Sequence, residues 1–183
     1  MVKSTIALLA PAPAPAPVQA PARNAVPPWM AIARTYIGVH EGDGIHNNPV
    51  CMKFFIEAGH SEVKNDHTTP WCAAFVGAVL KEAGLKNTGT LWALDYAKYG
   101  QPLKGPVVGA IGTKTRDGGG HVFFIAGFDA SSVWALGGNQ GDKVCIERIP
   151  RALIHSYSWP PGVPVWGTGT GDISAREAGA SEQ

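Results

Sequence analysis

The chain has 183 residues, 45% hydrophobic and 16% charged, with a formal net charge of +1, which suits one domain of ordinary size plus tails. A nucleic-acid footprint needs clustered Lys and Arg; the sequence has no such stripe, so nucleic acid is excluded as a main partner. Cys51, Cys72 and Cys145 form no CxxC pair, which argues against a zinc ribbon or a thioredoxin-type redox site and leaves at least one thiol free. A Cys51–Cys145 disulfide stays open at this stage.

Met1 to Ala10 carries one lysine and an apolar patch shorter than a secretory signal normally needs. No run is long enough to cross a membrane as a helix. The expectation is a soluble chain without a transmembrane segment, its export route open. Pro11, Pro13, Pro15, Pro17 and Pro21 alternate with alanine, a pattern that favours an extended polyproline II spacer. Residues 1–26 are therefore expected to be a disordered linker, 27–160 the folded domain, and 161–183, rich in Gly, Thr, Ala and Ser from Gly167 onward, a disordered tail.

Trp29, Ile32, Ala33, Tyr36 and Ile37 recur at helical spacing after Pro27-Pro28 and stop at Gly38. Asn48 and Pro49 open a second helix that closes at Gly59. Thr69-Pro70 precedes a third apolar run, Trp71-Cys72-Ala73-Ala74-Phe75-Val76, that continues to Ala83 before Gly84. Thr69 is the candidate cap, so Cys72 falls in the first turn, where unpaired N–H groups and the helix dipole favour a thiolate. Leu91 to Tyr99 predicts a short fourth helix. From Pro106 the period changes to two: 107–111, 121–128, 132–136 and 144–149 read as strands between Gly, Asp and Asn turns. Helices followed by an antiparallel meander predict an α+β fold.

His121 follows Gly118-Gly119-Gly120 and shares a strand face with Phe123 and Ile125. At the rim of a sheet facing the Cys72 helix, its imidazole would lie within reach of the sulfur, as a base must to take the thiol proton. Without that neighbour it is a turn histidine. The next strand ends in Gly137-Gly138-Asn139-Gln140-Gly141, which returns Asn139 to the same end of the sheet. Asn139 could fix the ring and Gln140 could supply an oxyanion donor, although the same five residues are also ordinary turn composition.

Taken in order, the Trp-Cys-Ala-Ala-Phe-Val helix, the Gly-His-Val-Phe-Phe strand and Leu-Gly-Gly-Asn-Gln resemble the CHAP and NlpC-type cysteine peptidases. The similarity runs from about Trp29 to Trp159 and includes Tyr36-Ile37-Gly38-Val39-His40-Glu41. It implies a papain-like fold that cuts bacterial peptidoglycan, most like a subgroup common in phage and prophage lysis proteins, acting at the cell wall or periplasm. It further implies Cys72 as nucleophile, His121 as general base and then acid, and Asn139 as the third member, with acyl transfer from a stem-peptide amide. The enzyme would be either an endopeptidase or an N-acetylmuramoyl-L-alanine amidase.

The resemblance brings Glu41 and Asp66 close to the Cys72 helix as substrate contacts, against the plainer reading that they are solvated or cap helices. Trp71, Trp92 and Trp134 are candidates for lining a groove, with core packing the alternative for at least two. The Glu41–Asn48 loop lacks the D-x-D-x-D spacing of a calcium loop, and no HExxH pair exists, so no metal and no cofactor is expected. The chain is read as a monomer whose partner is peptidoglycan. The other function class is a non-catalytic wall-binding or virion-assembly module using the same groove.

Overall fold

The computed structural model describes residues 26–165. The Pro/Ala-rich segment and most of the expected tail lie outside these residues. Three α-helices come first: α1 (Pro28–Thr35), α2 (Pro49–Ala58) and α3 (Cys72–Glu82), followed by a 3-10 helix over Ala93–Lys98. Six strands follow: β1 (Gln101–Leu103), β2 (Ile111–Arg116), β3 (Gly119–Phe128), β4 (Ser132–Gln140), β5 (Lys143–Pro150) and β6 (Ser156–Trp159). They form one antiparallel sheet in the order β1-β6-β2-β3-β4-β5. The architecture is α+β.

Local chemistry accounts for much of this. Asn48 accepts a hydrogen bond from Val50 N–H at 2.8 Å, Pro49 occupies the first turn where no donor is needed, and Gly59 closes α2 in the left-handed region. The expected Thr69 cap is not made. The cap residue of α3 is Trp71, which has no side-chain capping bond, since an indole carries a donor and no acceptor. The strand expected at 107–111 begins only at Ile111; Gly109 is left-handed and its carbonyl accepts Trp29 Nε1–H at 2.8 Å.

α3 is buried from Cys72 to Leu80. Its Phe75 ring meets Phe124 of β3 at 6.2 Å and Phe54 of α2 at 5.4 Å, and Phe54 stacks on Trp71 at 6.0 Å. Such aromatic contacts add to the area term that dominates burial. The segment before α2 is tied to the other end of the sheet: Gly38 N–H donates to Val144 O, Val144 N–H to Val39 O and Glu41 N–H to Asp142 O.

β3 and β4 pair through Phe124 and Leu136 and then part. α3 enters that split. A Cβ placed on Gly138 would stand 2.5 Å from Trp71 Cζ3 and 2.7 Å from Phe75 Cβ. One on Gly137 would stand 2.7 Å from Gln140 Oε1. The two glycines are thus packing requirements of β4, and the turn lies beyond them. Gly141 and Asp142, with φ of 57° and 62°, form the two-residue link to β5, the doubly left-handed hairpin. A Gly138→Ala variant is expected to lose about 1–3 kcal/mol of stability, as overpacked core positions do, read as a lowered midpoint in urea unfolding.

Candidate active site

Cys72 is 2% exposed, at the mouth of α3, where its own N–H, those of Ala73 and Ala74, and the dipole point outward. Ile125 directs both its backbone groups toward the β2 side, donating to Ala110 O at 2.7 Å and accepting from Gly109 N–H at 2.8 Å. With a period of two, Val122 therefore turns its N–H toward β4. β4 has already departed there, and the Val122 N–H acts on the Cys72 sulfur, favouring its thiolate. Burial pushes the thiol up from its ordinary value; the Val122 N–H, the Arg116 guanidinium and the first-turn N–H groups pull the other way and do not win. The expected lowering by the helix mouth is thus overturned by desolvation.

His121 shares its face of β3 with Phe123, the ring centroids 5.5 Å apart. Phe124, on the alternate face, is the residue that meets α3. The imidazole therefore does not face the Cys72 helix across the sheet, as the spacing suggested. Ring and sulfur lie on opposite faces of β3, and no hydrogen bond joins them.

The hydrogen bond expected of Asn139 is made by Gln140. Gln140 Nε2–H donates to Cys145 O at 2.8 Å and Ala135 O at 3.2 Å, which leaves Oε1 to face His121 Nε2 at 2.9 Å. Since Oε1 only accepts, Nε2 carries the ring proton. Nδ1 is then a lone-pair nitrogen, and it is buried without a partner among the described residues. Burial pushes the ring down to about 4; the Gln140 bond opposes this, and the Lys114 and Arg116 charges add to it. With its amide fully engaged, Gln140 is not an oxyanion donor.

Asn139 is held left-handed, φ 57°, beside Trp71. With its amide oxygen turned inward it accepts Trp71 N–H at 3.2 Å and Trp71 Nε1–H at 3.1 Å, while the indole also donates to Glu41 Oε2 at 3.0 Å. Trp71 and Asp66 are wholly buried. Asp66 Oδ2 accepts Gly42 N–H at 3.0 Å and Asn48 N–H at 2.8 Å, tying the loop before α2 to the one before α3. Trp71, Glu41 and Asp66 position α3 and its loops and border neither cleft beside Cys72 and His121. Trp92, 54% exposed, does border one, and Trp134 is half-buried against the core.

Two clefts open here. One, of about 520 Å³, runs from Cys72 beneath Trp92 and Leu91 to Gly118–Gly120; the other, of about 670 Å³, is bordered by His121, Gln140, Lys114, Glu147 and His155. Arg116 borders both. All three cysteines are free, so the open Cys51–Cys145 disulfide is not formed. Among the described residues no three His, Cys, Asp or Glu side chains converge to hold a metal ion. No helix among them is long and apolar enough to cross a membrane. Chemically, the set offers a neutral thiol, a base with its lone pair at Nδ1, and outward N–H groups at a helix mouth.

The His121 ring is expected to titrate at about 4 by NMR, with nitrogen shifts of the Nε2–H tautomer; titration near 6.5 would overturn the buried-neutral assignment. An unfolded chain takes up this proton at about 6.5. Stability should therefore fall as pH drops from about 6.5 and level off below about 4, because the unfolded state binds more protons across that window. The chain matches no protein-family model, no curated protein and no solved structure.

Proposed function

We propose that the protein is a papain-like cysteine hydrolase that cleaves an amide bond of the peptidoglycan stem peptide. The observation that carries the chemistry is the tautomer forced on His121: Gln140 holds Nε2–H and leaves the Nδ1 lone pair without a partner among the described residues, on the residue next to Val122, whose N–H acts on the Cys72 sulfur. The wall substrate comes from the resemblance of the Trp71–Val76, Gly120–Phe124 and Leu136–Gln140 blocks to CHAP and NlpC-type peptidases.

In this reading Nδ1 takes the Cys72 proton as sulfur adds to the amide carbonyl. The oxyanion is met by the first-turn N–H of Cys72, which has no intrahelical acceptor. The C–N bond then breaks, and the proton on Nδ1 passes to the leaving amine. Water, deprotonated at Nδ1, hydrolyses the thioester. Neither resting group is ionised, so thiolate and imidazolium form together in the transfer. The short thiol–imidazole contact is made when substrate binds, as catalytic hydrogen bonds often tighten only in the complex. Gln140 is a positioning residue.

The unmade thiol–imidazole bond favours one other reading, a non-catalytic wall-binding module. Cys72→Ala separates the two. It is expected to lower release of soluble fragments from purified walls by more than about 10³-fold, the scale of losing a nucleophile that acts with its base as a unit. Wall pull-down should be retained. Undiminished fragment release by Cys72→Ala would overturn the thiol mechanism.

A further inference from the structure

The two clefts differ in charge. Beneath Trp92 the lining is largely apolar and backbone, with Arg116 and Asp117 as its one cation and one anion. The His121 cleft carries Lys114, Arg116 and His155, with Glu147 as its one acidic lining residue. Lys114 lies directly across the β2–β3 ladder from His121, and Arg116, two residues on, projects from the same face. Some surface cations are paired, Lys81 with Glu57 at 3.0 Å, Arg148 with Asp129 at 3.5 Å and Lys53 with Glu82. Others, Lys86 and Lys104 as well as Lys114 and Arg116, make no ion pair among the described residues. What sets Lys114 and Arg116 apart is their place beside His121 in one cleft.

Two unpaired cations beside a buried base are not neutral to its chemistry. Both disfavour the imidazolium, which the proposed reaction must form. An anion seated between them would remove that opposition when substrate is bound. Orientation follows from the proton path. The acyl group ends on Cys72, so the acyl side of the substrate occupies the Trp92 cleft. The leaving amine takes its proton from His121, so its side occupies the cationic cleft.

Resting on the reading of Cys72 and His121 as an acyl-transfer pair, we infer that Lys114 and Arg116 seat a free carboxylate on the amine side of the scissile bond. The substrate class is then an acidic peptide whose amine-side residue keeps its carboxylate unamidated. A carboxylate here accepts charge-assisted hydrogen bonds, the guanidinium offering a two-pronged partner and the ammonium a point charge.

The test uses two stem-peptide analogues, identical except that the amine-side carboxylate is free in one and a carboxamide in the other. The wild-type protein is expected to favour the free acid by about tenfold or more in kcat/KM, chiefly through KM. The preference should weaken as salt rises. In Lys114→Gln/Arg116→Gln, and in part in Arg116→Gln alone, the ratio should fall toward one. These residues are half-buried and exposed respectively, and circular dichroism checks the fold. Equal cleavage of both peptides by the wild type, or an undiminished preference in the double variant, overturns the inference. Calorimetry with the Cys72→Ala protein keeps the two readings apart. Carboxylate-dependent binding with no wild-type hydrolysis leaves the seat standing and removes the enzyme. Hydrolysis with no preference does the reverse, and neither binding nor hydrolysis removes both.

Discussion

The site depends on a wedge. Trp71 and Phe75 press against Gly138, and no side chain larger than hydrogen fits there. β4 is thereby kept from completing its ladder with β3 past Leu136. A parted ladder leaves a backbone donor without its partner, and a buried unpaired N–H is costly. The Val122 N–H lies on this edge and favours the Cys72 thiolate. The same departure gives β4 the slack to turn Gln140 back under Gly137 and onto His121. One steric contact thus sets where Cys72, His121 and Gln140 stand.

Electrostatics then decide the resting state. A thiol at a helix mouth is commonly read as activated, yet here burial outweighs dipole and guanidinium and holds the proton on sulfur. The imidazole is neutral for the same reason. Two groups that are each costly to ionise in a dry site favour a concerted transfer over a standing ion pair. Gln140 suits this state, since a neutral amide fixes the tautomer without drawing a charge onto the ring. Tyr96, also buried and pushed well above its ordinary range, adds no charge to the region.

How far the sequence disclosed this can be followed residue by residue. α2 was legible because Asn48, Pro49 and Gly59 act locally, and the meander because its turns do. β1 and β6 were not, since three- and four-residue strands carry too little alternation to stand out. Thr69 failed as a cap because tertiary contacts of Trp71 set the start of α3. Gln140 makes the bond to the ring expected of Asn139, and Asn139 turns to Trp71, for a related reason. Gly137-Gly138-Asn139-Gln140-Gly141 has turn composition, but the turn is Gly141-Asp142, so β4 runs four residues further than its pattern suggests. Only the clash that a Cβ at Gly138 would make reveals that the glycines serve packing. Asp66 and Glu41 could not be told from exposed acids, because their partners, Gly42, Asn48 and Trp71, lie 24, 18 and 30 residues away.

The opposition of faces is also what gives the site direction. Sulfur reaches the edge of β3 from the helix side, while the ring belongs to the face carrying Phe123 and Lys114. A carbonyl that meets both must lie across the strand edge, with one flank of the substrate on each face. In the proposed reaction the sheet separates the two product halves. Arg116, bordering both clefts at the end of β2, stands where the flanks diverge. From there one cation both favours thiolate at Cys72 and opposes imidazolium at His121. An anion docked against it on the His121 side would reverse the second effect, so in this reading the charge that selects the substrate also readies the base.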